Sequence, residues 1–85
     1  MKTIDSIKAA FKQGQRSEAL EACVQLCAAE PANLEPKRLF ALLHVVLGNF
    51  SEAKTGYQAV LALRPNDSDA LFNLAVCERE LHRLD

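Results

Sequence analysis

The stretch Leu47-Gly48-Asn49-Phe50-Ser51-Glu52-Ala53 decides the fold of this chain, together with the downstream segment Val60-Leu61-Ala62-Leu63-Arg64-Pro65. Its glycine can adopt the left-handed backbone conformation that often ends a helix. The serine and glutamate that follow suit the start of a new helix, where a capping oxygen and a negative charge are favoured. The final proline cannot continue a helix. The stretch therefore predicts a tight corner between two helices, followed by one amphipathic helix with a defined end.

The same construction occurs one period upstream, in the stretch Gln13-Gly14-Gln15-Arg16-Ser17-Glu18-Ala19 and the later pair Glu30-Pro31. Identical residues separated by 34 positions occur five times, as Gly14 and Gly48, Ser17 and Ser51, Glu18 and Glu52, Ala19 and Ala53, and Pro31 and Pro65. Identities at one fixed offset indicate an internal repeat. The repeating unit is two helices joined by a glycine corner and closed by a proline.

Apolar residues at three- and four-residue steps predict five helices along the chain. The first is expected over residues 3–12 and the third over residues 34–47, whereas the second and fourth are expected to stop before the two prolines. The third is apolar almost all round, which is typical of a helix packed between neighbours. Polar residues suited to cap the later helices are Ser17, Asn33, Ser51, and Asp67 or Ser68.

Length and composition restrict the classes of protein that remain. The chain has 85 residues, of which 49% are hydrophobic and 25% are charged, as in an ordinary folded domain. Its net charge is −1, so no basic field suggests nucleic acid or an anionic membrane as a partner. No apolar run resembles a signal peptide or a membrane span. Three cysteines, an odd number, favour reduced thiols in the cytoplasm.

A helix-turn-helix unit of 34 residues with glycine at the corner and proline at the exit resembles the tetratricopeptide repeat. Ala19 and Ala53 match the small residues that let the two helices of such a unit approach closely. The resemblance implies an all-α fold, in which antiparallel helical hairpins stack as a right-handed solenoid of five helices. It divides a single domain into repeat one at residues 1–33, repeat two at 34–67 and the first helix of repeat three at 68–85. We therefore expect a piece of a longer array.

In this family the first helices of successive units line a concave groove that binds extended or helical peptides. The resemblance implies a protein-protein interaction module, or scaffold, that presents this groove to a peptide or helix of a partner. Chaperone-tail binding is disfavoured, because only Lys8 is basic among the positions matching a carboxylate clamp, which are Ile4, Lys8, Leu39, Asp69 and Asn73. The expected partner-binding residues of the groove are Lys8, Phe11, Lys12, Arg38, Leu42, Val45, Asp69, Phe72, Val76 and Arg79.

Other functions stay open beside this one. The chain can instead be a structural or self-association module of a larger bacterial protein, including one that carries a catalytic domain. A helical-repeat RNA binder is disfavoured by the pI of about 6.1. The apolar stripe of the fifth helix predicts a homodimer through that C-terminal helix, using Leu71, Leu74, Leu81 and Leu84.

Cys23, Cys27 and His44 are the candidate residues for catalytic or metal chemistry. Cys23 and Cys27 lie one helical turn apart and, with His44, could supply three metal ligands, but no fourth ligand or cysteine knuckle accompanies them. A pair of Cys23 and His44 could also be a nucleophile and its base. A buried cysteine or histidine in an apolar helix is more often a packed residue. We therefore expect no enzyme activity, no cofactor and no metal.

Overall fold

The computed structural model describes residues 3–83, and within them the chain forms five α-helices and no strand. This confirms the predicted all-α class and the predicted number of helices. The helices are α1 (Ile4–Lys12), α2 (Arg16–Ala29), α3 (Leu34–Val46), α4 (Phe50–Leu63) and α5 (Ser68–Arg83).

The helices pack in the order of the chain. α1 and α2 form one antiparallel hairpin, α3 and α4 form a second, and α5 packs against α4. α3 also packs against α2, so it lies between the two hairpins. α1 and α5 each contact α3 as well, which brings the first helices of successive units to one side of the molecule.

The two glycine corners have the same backbone geometry. Gly14 and Gly48 have φ angles of 89° and 80°, a left-handed conformation that strains any other residue. At the first corner the N–H of Gln15 donates to the carbonyl of Ala10, and at the second the N–H of Asn49 makes the equivalent bond five residues back. The predicted corners are therefore confirmed, and a positive φ is what requires the glycines.

The predicted helix ends are confirmed and the predicted starts are right in part. α2 and α4 end two residues before Pro31 and Pro65. Asn33 caps α3, since its side chain accepts a hydrogen bond from the N–H of Glu35 at 3.0 Å. Asp67 caps α5 in the same way, by accepting from the N–H of Ala70 at 2.9 Å.

The predicted caps at Ser17 and Ser51 are wrong. α2 and α4 begin one residue earlier, directly after Gln15 and Asn49, and neither of these residues caps its helix with a side chain. The corner explains this difference, because the N–H groups of Gln15 and Asn49 are already bonded to the preceding helix. The new helix can therefore start immediately, and each serine lies inside its first turn.

Two clusters of buried side chains hold the stack together. The first joins α1, α2 and α3 and contains Ile7, Ala19, Ala22, Cys23, Leu26, Leu39 and Leu43. The second joins α3, α4 and α5 and contains Ala41, Ala53, Tyr57, Val60, Ala70 and Cys77. Because α3 contributes to both clusters, it is the element shared by the two halves of the core. Ala19 and Ala53 are buried as predicted for the small residues of each hairpin.

Gly56 allows the closest approach of α3 and α4. A Cβ atom added at Gly56 would lie 2.9 Å from the Cβ of Ala41 and 3.4 Å from its Cα. Both are atoms that cannot swing away, because they belong to the backbone or are attached to it directly. The absence of a side chain at Gly56 therefore sets the distance between the two helices.

Gly56→Ala is expected to destabilise the protein. Overpacking a core contact costs about 1–3 kcal/mol, whereas the better helix propensity of alanine returns at most about 1 kcal/mol. Urea unfolding should show a net loss of stability. The double variant Ala41→Gly/Gly56→Ala, which moves the methyl group to the other helix, should recover most of it. A single variant more stable than the wild type by the full propensity gain would contradict this contact.

Candidate functional site

Side chains from α1, α3 and α5 converge on one cavity, to which α4 also contributes a residue. The cavity has a volume of about 250 Å³ and faces solvent. Its lining combines apolar groups with charged and polar ones, namely Ile4, Lys8, Glu35, Arg38, Leu39, Leu42, Tyr57, Asp69 and Asn73. The first helices of three successive units thus form one concave surface, which we call the groove.

Four of the ten residues predicted for partner binding lie around this cavity. They are Lys8 from α1, Arg38 and Leu42 from α3, and Asp69 from α5. The side chain of Leu42 is 43% exposed, so it presents apolar surface to solvent within the groove. All five positions named above for a carboxylate clamp also lie in the lining.

The other six predicted residues lie outside the cavity lining, namely Phe11, Lys12, Val45, Phe72, Val76 and Arg79. Phe11 packs against the first core cluster, and its ring lies 5.7 Å from the guanidinium carbon of Arg16. Val45 packs against the second core cluster. Phe72 is 69% exposed on α5. Of the five apolar residues among the ten predicted ones, Leu42 alone lines the cavity, and the other apolar lining residues are Ile4, Leu39 and Tyr57.

Tyr57 is the cavity residue that sequence reasoning missed. It belongs to α4, a second helix, and it is almost completely buried. Burial raises the pKa of its hydroxyl to about 12, so it stays a neutral group at physiological pH. The sequence feature that could have indicated it is its place in the apolar stripe of α4, the side that packs against α3. Its reach into the groove depends on the close approach of the two helices.

An ion pair between Arg38 and Asp67 ties α3 to the start of α5. The Nε of Arg38 donates to Oδ2 of Asp67 at 2.9 Å, and Nη2 donates to the same oxygen. The other oxygen of Asp67 caps α5, and only 5% of this residue is exposed. The hydrogen bond from Arg38, followed by that from the N–H of Ala70, lowers the pKa of Asp67. The charge of Arg38 is therefore already engaged within the fold.

The groove consequently has an asymmetric distribution of charge. Lys8 lies on the α1 side, and Asp69 and Glu35 lie on the α5 and α3 sides. None of these three forms an ion pair within residues 3–83. Lys8 is thus the one lining cation that is not already paired in this part of the chain.

Cys23 and His44 occupy packed positions. The ring of His44 stacks edge-on against Phe40 at a centroid distance of 4.6 Å, and its Nδ1 lies 3.2 Å from the side-chain nitrogen of Asn49. Burial, with a smaller contribution from Cys27, raises the pKa of Cys23 to about 11, so its thiol is protonated at neutral pH. Within the described residues, no three metal-ligating side chains come together.

The fold and the groove define a helical-repeat protein built from stacked hairpins. A model of the tetratricopeptide repeat matches residues 38–85, which is more than half of the chain. The chain belongs to this family, and its antiparallel hairpins stack as a right-handed solenoid of about two and a half repeats. No curated protein matches the chain. Tetratricopeptide repeats generally mediate protein-protein interaction and are typically non-catalytic modules. None of the helices described is long and apolar enough to cross a membrane.

The ion pair predicts a pH dependence of stability. In the folded state the pKa of Asp67 is lowered. Its ionised carboxylate therefore stabilises the fold at pH values above the unfolded-state pKa of about 4. This stabilisation is lost as the pH falls through the folded-state pKa. Asp67→Asn keeps a side chain that can cap a helix but removes the charge. We expect the wild type to be more stable than Asp67→Asn at neutral pH, and this difference to shrink on acidification.

Urea unfolding at a series of pH values measures this difference. Asp5→Asn, which removes an exposed acid in the first turn of α1, is the matched control and should change stability much less. A difference between the wild type and Asp67→Asn that widens as the pH falls would show that the ion pair does not stabilise the folded state.

Proposed function

We propose that this protein binds a segment of a partner protein in the groove between α1, α3 and α5. The observation that carries the proposal is the convergence of three successive first helices on one solvent-facing cavity with an apolar floor. A volume of about 250 Å³ is large enough for one aliphatic or aromatic side chain of a ligand. The ligand's main chain would then extend along the groove on either side of this anchoring side chain.

The floor of the cavity is suited to an apolar side chain of the ligand, which would act as its anchor. Leu39 and Tyr57 are buried at its base, whereas Leu42 retains 43% exposure and is available to a ligand. Covering such a side chain on binding removes apolar surface from water, which is favourable by about 25 cal/mol for each Å². The apolar floor therefore supplies affinity. The charged residues around the cavity, which we call the rim, orient the ligand.

The rim favours a ligand with charges in a particular order. Lys8 attracts an acidic residue to the α1 side, and Asp69 with Glu35 attracts a basic residue to the α5 side. Arg38 adds little to the recognition of an anion, because Asp67 already neutralises it. A peptide or helix with an acidic residue, an apolar anchor and then a basic residue fits this surface. The asymmetric rim gives such a ligand one preferred direction.

We further propose the cytoplasm as the compartment of this protein. Cys23, Cys27 and Cys77 are free thiols, and free thiols are typical of a reducing compartment.

A peptide-display selection on the full chain tests groove binding. Ligands selected on the wild type are then measured by fluorescence anisotropy against Leu42→Ala and against Leu63→Ala. Leu63 is a matched control, since it is 54% exposed but lies on α4 outside the cavity. We expect Leu42→Ala to weaken binding at least about tenfold, or 1.4 kcal/mol, and Leu63→Ala to have no effect. Both variants should melt like the wild type, because neither side chain is buried.

The charge order is tested with the same ligands. Lys8→Glu should weaken peptides whose acidic residue precedes the anchor, and it should improve peptides with the reversed charge order. Equal binding by the Leu42→Ala and Leu63→Ala variants, or an absence of selected ligands, would contradict the proposal.

A further inference from the structure

Apolar side chains outside the groove cavity are exposed on α5 and on α2, among other places. The homodimer that the sequence predicts through α5 stays a prediction. Of its four leucines, Leu71 is exposed and Leu74 packs against the second core cluster. Leu81 is partly buried, and Leu84 lies outside the described residues. The exposed apolar surface of α2 belongs to a second cavity, which lies between helices of the two hairpins.

This second cavity has a volume of about 400 Å³ and opens to solvent between α2 and α4. Both helices pack on α3, but within residues 3–83 they do not pack on each other. Phe40 of α3 lies between the two walls, which are formed by Val24 and Cys27 of α2 and by Gly56 and Ala59 of α4. We call this cavity the outer cleft.

The outer cleft is separate from the groove. The two cavities have no lining residue in common. On α3 the groove is lined by residues such as Arg38 and Leu42, whereas the outer cleft is lined by Lys37 and Phe40. With 3.6 residues per turn, these two pairs point to opposite sides of the helix. A ligand of the outer cleft would therefore not compete for the groove.

The lining of the outer cleft suits an apolar molecule. Apart from Lys37, Glu52 and Thr55, its lining residues are apolar. Clefts of a few hundred Å³ that combine apolar walls with a few polar groups are typical sites for small molecules. An apolar cavity of about 150 Å³ holds one benzene molecule, so this cleft has room for roughly ten to twelve carbon atoms.

The two charges of the lining lie at opposite ends of the outer cleft. Lys37 belongs to the first turn of α3 and Glu52 to the first turn of α4, and these helices are antiparallel. Neither residue forms an ion pair within residues 3–83. Glu52 is exposed, so its charge is screened by water and salt, and the helix dipole at the start of α4 favours it.

Lys37 is held in place at its end of the cleft. Its Nζ donates to the carbonyl of Pro31 at 2.6 Å, which leaves further donors of the ammonium for a ligand. Burial raises the pKa of Cys27, and the charge of Lys37 acts in the opposite direction, so that charge is felt at the α2 wall. The equivalent positions of the other first helices hold Thr3 and Leu71. The repeat itself therefore does not require a cation here.

We propose that the outer cleft binds an apolar monocarboxylic acid of roughly ten to twelve carbon atoms, with its carboxylate on the ammonium of Lys37. The carboxylate accepts a charge-assisted hydrogen bond, which is stronger than a bond between neutral groups. The chain of the ligand lies over Phe40 and ends near Gly56, before the exposed carboxylate of Glu52. A ligand with an amine in place of the carboxylate is repelled by Lys37 at the same position.

A titration of the ¹⁵N-labelled full chain with decanoate, followed by amide chemical shifts, tests the site. Saturable shifts are expected at Val24, Gly56 and Ala59, whereas the amides of the groove residues Lys8 and Leu42 should not move. Decanol and decylamine have the same chain without the carboxylate. Decanol should bind more weakly than decanoate, and decylamine more weakly still, because the cation of Lys37 opposes it.

Variants separate the charge from the apolar walls. Lys37→Gln keeps a donor for Pro31 but removes the cation, and it should weaken decanoate about tenfold while leaving decanol unchanged. Lys54→Gln, on α4 outside the lining, is the matched control. Ala59→Phe should fill the cleft and abolish binding of both ligands, whereas Ala62→Phe should not. Both alanines are exposed, so circular dichroism should show unchanged helix content.

The competing explanation is that Lys37 serves only to tie Pro31 to α3. In that case Lys37→Gln or Lys37→Met would lower the melting temperature and leave the affinity for decanoate unchanged. That result would overturn the proposal. The absence of saturable shifts with decanoate, shifts confined to the groove, or equal binding of decanoate and decylamine would overturn it as well.

Discussion

The close contact between α3 and α4 at Ala41 and Gly56 is the constraint on which the rest of the structure depends. It sets the distance between two helices that each have a second task. α3 also packs on the first hairpin and lines the groove, while α4 supports α5 and supplies Tyr57 to the floor of the cavity. A change in this one distance would therefore alter both halves of the core and the shape of the groove together.

The same packing forms the concave surface that we propose as the binding site for a partner. α1, α3 and α5 pack into the core through their buried sides. Their remaining sides are aligned along the groove. The pairing of Arg38 with Asp67 fixes α5 relative to α3, and it also removes a cation from the surface available to a ligand. The same side chain thus contributes to stability and, in the proposed binding mode, limits what the groove can recognise. Within residues 3–83 the lining charges without an ion pair belong to Lys8, Glu35 and Asp69.

The sequence predicted the parts of the fold that depend on local chemistry. Glycines at positive φ, prolines after helix ends and the caps at Asn33 and Asp67 act within a few residues, so their effects can be read along the chain. The predicted start at Ser17 failed because the corner lets the helix begin earlier. The ion pair joins residues 29 positions apart, and the place of Tyr57 depends on an interhelical distance. Neither follows from a local pattern. For the same reason the sequence predicts Phe11 and Val45 in the groove, whereas both pack against the core clusters.

Residue-resolved hydrogen exchange of the native protein tests the central role of the α3–α4 contact most directly. The structure predicts that amides of α3 and α4 around Ala41, Ala53 and Tyr57 exchange most slowly and share one free energy of opening, because α3 belongs to both core clusters and α4 packs directly on it. Amides of α1 should open with a lower free energy, since that helix is packed at one end of the stack. Slower exchange in α1 and α2 than in α3 and α4 would contradict the account.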